Sequence, residues 1–317
     1  MRRRLVISLL ATTFVACSAL AATAGASEIV TRNATHVSLK VDEKGYALVT
    51  YELGGTVKRA LFWGAVDAKP PARGGKQVEF KKDYSGGWMT FKKKIWLTMK
   101  NTCRRYDGPT LPDLVVACKA SDGSYWALQS WQRMLPNLGL APWKASQSVW
   151  ELHLSHWTGD VAQIDAHVDW SYHGRFHHLF GNYTYENQGV FGFASTSSGN
   201  PLDSFGRNMY LDTLNSAYGE GWLRENSFLA HQPNGSFCYG FYPHKPYPGY
   251  PAGDRPPGNG EQYRITAIGP GVTPDVMWTG ADAGDWDAAD QSKVELESSM
   301  NALQLSISGP DKLCRHE

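Results

Sequence analysis

The chain has 317 residues, 31 basic and 30 acidic side chains, and a formal charge of +1. That balance argues against a nucleic-acid partner, which calls for a strongly basic face. The length suffices for a large core, as one all-β domain or as two smaller units.

At the N-terminus, Met1 and Arg2 to Arg4 precede an apolar run from Leu5 to about Ala22, and Ala24-Gly25-Ala26 has the small-x-small form of a cleavage site. Residues 1–26 are therefore read as an export signal, which makes the protein secreted, either extracellular or at the cell surface. Phe14-Val15-Ala16-Cys17 loosely resembles a lipoprotein box, so lipid anchoring at Cys17 is the competing outcome. Cleavage after Ala26 lowers the basic count from 31 to 28 against 30 acids, a formal charge near −2. No other segment is long and apolar enough to predict a transmembrane helix in the mature chain.

From Val37 the chain predicts short strands at Val37–Val41, Ala47–Leu53, Val57–Val66 and Lys76–Phe80, with Gly54-Gly55 as a tight reversal. Between Thr56 and Arg105 stand thirteen basic residues and three acidic ones. Lys92, Lys93 and Lys94, with Trp88, Phe91 and Trp96 interleaved, suit an anionic polymer. Lysines also guard strand edges against pairing, so the same pattern fits a purely structural role.

Four cysteines follow the signal: Cys103, Cys118, Cys238 and Cys314. In an exported chain they read as disulfides with three connectivities open. Runs at Ile95–Met99 and Leu114–Cys118 look like strands joined by a turn, which favours Cys103 with Cys118 and leaves Cys238 with Cys314. The spacings match no standard zinc pattern. A boundary near Asp107–Pro112 would be spanned by the first bridge, so a single β-rich domain over 27–317 is preferred.

Val149 to Tyr185 holds six of the ten histidines. At a period of two, Trp150, Leu152 and Leu154 alternate with Glu151, His153 and Ser155, and Ala166, Val168 and Trp170 alternate with Asp165, His167 and Asp169. Thr158-Gly159-Asp160 reads as the turn of a hairpin that sets Glu151 against Asp169 and His153 against His167. The simplest reading is the solvated face of an antiparallel sheet. The chemical reading makes Glu151, Asp165 and Asp169 candidate catalytic carboxylates, and His153 and His167 candidate ligands of a divalent metal ion.

Further on, Asn187-Gln188-Gly189 predicts a hairpin between His178–Tyr185 and Val190–Ala194. Ser204 is the expected cap of a helix over 204–218, with Gly219 as its stop. Strands resume at Gly221–His231 and Ser236–Tyr242. The proline-rich loop 243–260, with six prolines and four glycines, excludes regular structure and offers Tyr247 and Tyr250 as binding groups. A second helix is expected over 285–303, stapled to the body through Cys314.

The expected fold is thus mainly β, with antiparallel sandwich-like sheets and two peripheral helices. The chain has no GxSxG, HExxH, phosphate-loop or GxGxxG signature. Twelve tryptophans and fifteen tyrosines on such a scaffold point to a secreted, non-catalytic binder of a glycan or cell-wall polymer. Trp157 and Tyr172 join Tyr247, Tyr250 and the lysine triplet as its candidate contacts. An extracellular hydrolase using a carboxylate pair or a His/Asp metal site is the alternative. Nothing in the sequence fixes an oligomeric state.

Overall fold

The computed structural model describes residues 27–70, 76–134, 148–192, 194–195, 201–243, 256–309 and 311–314. Strands make up 46% of the described residues and helix 12%, so the fold is mainly β, as expected. The first half builds one sheet from β1 (Glu28–Arg32), β6 (Arg104–Arg105), β7 (Leu114–Lys119), β8 (Tyr125–Met134) and β9 (Ser148–Trp157), in the order β1-β9-β8-β7-β6. Facing it is the sheet β2 (Thr35–Val41), β3 (Ala47–Leu53), β4 (Thr56–Trp63) and β5 (Lys81–Asp83). Alternation places Val41, Val49 and Phe62 on one inner face and Trp126, Leu128, Leu152 and Leu154 on the other, and they close a single core.

The second half repeats the plan. One sheet joins β10 (Gln163–Ser171), β11 (Phe176–Tyr185), β12 (Gln188–Gly189) and β17 (Ser236–Gly240). The other runs β16-β15-β18-β19, from β15 (Met209–Ser216), β16 (Gly219–Phe228), β18 (Gln262–Ala267) and β19 (Val276–Ala281). Leu179, Tyr183, Phe237, Leu211, Tyr263 and Ile265 fill the space between them. A two-stranded piece, β13 (Ala194–Ser195) with β14 (Pro201–Leu202), lies outside both sheets.

Two expected helices fare differently. Within 204–218 the chain is strand over Met209–Ser216, because β15 is hydrogen-bonded on both sides, to β16 and to β18, and Met209 and Leu211 suit a period of two as well as one of 3.6. The expected cap Ser204 lies in a buried turn instead, where its amide donates to Phe191 O and Asp203 Oδ1 accepts from the Phe205 and Arg207 amides. The C-terminal helix exists but is shifted, as α3 (Gln291–Ser308), with Asp290 rather than Asp285 at its N-cap, accepting from the Ser292 amide. It lies on β10, β11 and β17.

Two further helices, α1 (Trp88–Phe91) and α2 (Ile95–Thr98), replace the strand expected at Ile95–Met99. Lys76–Phe80 is irregular, and the strand there is β5.

The hairpin between 149–156 and 164–172 does not form. β9 lies between β1 and β8, whereas β10 pairs with β11, so the two runs belong to different sandwiches. Thr158 does not close a turn; its amide and hydroxyl donate to Asp67, and the chain crosses to the second sandwich there.

Both disulfide pairings hold: Cys103 with Cys118 and Cys238 with Cys314, each with Cα atoms 5.5 Å apart. The second ties the end of α3 to β17, as the stapled-helix reading required.

Candidate functional site

The alternation within each strand is as read from the sequence, but the strands' partners scatter the five candidate residues. Glu151, His153 and Ser155 do share a face of β9, yet that face is fully buried. It turns away from the first core and is covered by the segment around residues 268–275 of the second sandwich, where Trp131, Tyr210 and Ile268 form a small cluster of their own. Burial of charge requires partners. Glu151 Oε1 accepts from Arg32 Nε at 2.9 Å and from Nη2 at 2.8 Å. His153 Nδ1 lies 2.9 Å from Ser27 Oγ and 3.1 Å from Asp275 Oδ2, with its ring stacked on Trp131. Asp275 also accepts from Trp131 Nε1, the Gly269 amide and Ser27 Oγ. Ser27, His153 and Asp275 resemble a nucleophile triad in composition, but all three are at most 2% exposed, so the group holds the junction together rather than meeting a substrate.

Asp165, His167 and Asp169 occupy the outer face of the second sandwich. Asp169 is buried, hydrogen-bonded to His178 Nδ1 at 2.7 Å across the β10–β11 pair. His167 and Asp165 sit at the more open end, 3.5 Å apart. The catalytic trio Glu151, Asp165 and Asp169 therefore shares no single face, and neither does the metal pair His153 and His167. His156 is occupied too: it stacks on Trp126, its ring nitrogens meet Ala65 O and Ser124 Oγ, and burial pushes its pKa down.

Trp157, a proposed binding ring, is wholly buried against Tyr106 and Tyr125. Tyr247 and Tyr250 lie outside the described residues. Lys92, Lys93 and Lys94 are exposed on the α1–α2 excursion.

Tyr172 is different. At 45% exposure it stands at the β10–β11 turn, where Phe176 and Tyr242 complete an aromatic cluster with centroids 4.9 to 6.2 Å apart. Tyr172 and His173 both adopt left-handed backbone, with φ of 54° and 52°, which turns the chain sharply back into β11.

Directly behind, on the inner face of β11, His177 Nδ1 lies 2.8 Å from both Tyr263 Oη and Asp282 Oδ1. Tyr263 donates to the same carboxylate oxygen at 2.9 Å, and the Gly284 amide donates to the other oxygen. Burial pushes the Asp282 pKa up, but the hydrogen bonds from His177, Tyr263 and Gly284 outweigh it and hold the carboxyl below its usual range. The Tyr263 phenol moves the opposite way, raised by burial and by Asp282. On β16, Glu225 accepts from Tyr239 Oη at 2.7 Å. Residues 256–260, the described end of the proline-rich loop, close over it: a Cβ on Gly258 would collide with the Glu225 carboxylate.

Asp282, Tyr263 and Tyr242 lacked any sequence signal. They meet only because β11, β18 and the end of β19 converge, and no local spacing encodes that.

Among the described residues, His231, Asp311 and Cys314 also gather within metal-ligand reach. Cys314 is bonded to Cys238, and a disulfide sulfur is not a thiolate ligand. Compared with known protein families, curated proteins and solved structures, the chain shows no significant match to any of them.

Proposed function

We propose that the protein is a secreted, non-catalytic glycan or wall-polymer binder whose contact surface is the β10–β11 turn of the second sandwich. The observation that carries the reading is the aromatic cluster at that turn, in which exposed Tyr172 packs with half-buried Phe176 and Tyr242. Flat rings suit sugar faces.

Binding is favoured over hydrolysis because acid–base catalysis on a glycosidic bond needs one carboxyl raised and one left ionised. Behind β11, the Asp282 carboxyl is shifted down. Asp203, which burial pushes up to about 6, is committed to backbone amides in a closed turn.

The test is retention on insoluble chitin, cellulose and peptidoglycan across a salt series, with Tyr172→Ala and Tyr242→Ala as variants. The reading expects retention on at least one glycan that survives salt and falls at least tenfold in both variants. Retention by neither the parent nor the variants, or equal retention by all three, would overturn it.

A further inference from the structure

A different surface, at the edge of the first sandwich and independent of the glycan reading, combines exposed aliphatic side chains with exposed cations. After β5 the chain leaves the sheet for the two one-turn helices α1 and α2 and is held there rigidly. Asp83 accepts from the Ser85 amide and hydroxyl and from the Thr90 amide. Phe91 packs between Tyr46 and Trp63, at centroid distances of 5.6 and 5.5 Å. Ile95 lies so close to Gly87 that a Cβ there would meet its Cδ1 at 2.6 Å, and Arg59 covers the Trp96 ring. Lys92, in left-handed backbone with φ 53°, ends α1 and turns the chain into α2.

The inward residues are thus fully used, and the remaining apolar ones face water. Met89 is 71% exposed, Leu97 72% and Trp88 48%. Between them Lys92, Lys93 and Lys94 are exposed and make no ion pair with a described residue, and Lys100 follows, also exposed. Isolated exposed leucines are ordinary. A tryptophan, a methionine and a leucine raised on a braced projection and ringed by lysines are the elements of an interfacial membrane contact: apolar tips enter the acyl boundary while ammonium groups meet the headgroups.

We propose that the α1–α2 projection docks on an anionic phospholipid surface, with Trp88, Met89 and Leu97 inserted and Lys92, Lys93 and Lys94 paired with lipid phosphates. The lysines alone would suit any polyanion. Met89 and Leu97 decide for lipid, because a hydrated polyanion offers nothing in which to bury their aliphatic ends, whereas a bilayer does.

The test is co-sedimentation of the full-length mature protein with vesicles of phosphatidylcholine containing 30% phosphatidylglycerol, against vesicles of phosphatidylcholine alone. Binding is expected only to the anionic vesicles. It falls on the order of a hundredfold when all three lysines become Gln, at about fivefold per charge. It falls at least tenfold in the Met89→Ser/Leu97→Ser double variant, whose substitutions are exposed and leave the melting temperature unchanged. No binding to anionic vesicles overturns the proposal. So does binding that the double variant leaves unchanged and that heparin abolishes in proportion to its charge, since that assigns the lysines to a polyanion instead.

Discussion

The carboxylate of Asp275, on the second sandwich, accepts a hydrogen bond from the indole Nε1 of Trp131 on the first at 2.9 Å. The same carboxylate takes the Gly269 amide at 3.0 Å and the Ser27 hydroxyl, and the Asp275 backbone exchanges two bonds with the Gln129 amide. One side chain therefore terminates three buried donors from separate stretches of chain. Asp275→Ala orphans the Trp131 and Gly269 donors and leaves Ser27 with His153 alone, and at about 1–3 kcal/mol for each unsatisfied buried donor the expected loss is at least about 2 kcal/mol. Chemical denaturation measures it; a loss under about 1 kcal/mol would show that the junction does not depend on this carboxylate.

His153 and His167 sit on different sheets, one sealed in the junction and the other on the partly open outer face of β10. Their effects on stability should therefore be independent. In a double-mutant cycle of His153→Ala and His167→Ala, the coupling energy is expected below about 0.5 kcal/mol. His153→Ala alone is strongly destabilising, and His167→Ala is mild. A coupling of 2 kcal/mol or more, dependent on added zinc, would mean that the two imidazoles share an ion after all.

The helix α3 has a weak apolar stripe, with Leu296 and Leu305 largely exposed and the polar Gln304 and Ser308 buried against the sheet. Its attachment leans on the Cys238–Cys314 bridge, assisted by Gln304 Nε2 donating to Cys314 O and Asn234 Nδ2 donating to Ile307 O. Cys314→Ser is expected to lower stability by about 2–4 kcal/mol. Limited proteolysis should then cut first within 291–308. Initial cleavage elsewhere, with the helix still protected, would mean that packing alone retains it.

Burial pushes the Asp83 pKa up, yet the hydrogen bonds it accepts from Ser85 and Thr90 prevail and bring it down to about 2. A carboxyl with a depressed folded pKa stabilises the native state fully above its unfolded value, near 4. That contribution is lost as pH falls from about 4 to about 2. The loop bearing α1 should loosen in that window, seen as faster amide exchange at Thr90 and Phe91. Asp83→Asn should exchange fast at neutral pH and show no such transition; an unchanged acid transition in the variant would assign it to another group.

Much of this architecture is legible along the chain because strand alternation is a local property. The faces of β9 and β10 follow from a period of two, and the disulfide pairs follow from four cysteines and the strands around them. The apolar face of β9 at Leu152 and Leu154 packs into the first core as its pattern requires. The same reasoning misplaces residues 204–218, whose apolar residues satisfy both periods; only hydrogen bonds to strands on both sides settle β15 as a strand.

What the sequence determined by itself is the class of the fold, the direction each side chain takes within its strand, and the covalent staples. Only the tertiary structure decided which strand lies beside which. Pairing is set by contacts between residues far apart in the chain, and a turn as short as Thr158-Gly159-Asp160 can close a hairpin or carry the chain into another sandwich. That one choice turned the histidine-bearing face of β9 from a solvated surface into a buried junction. It also left Tyr172, just past the end of β10, against Tyr242, and His177 against Asp282, pairings that no single stretch of sequence brings together.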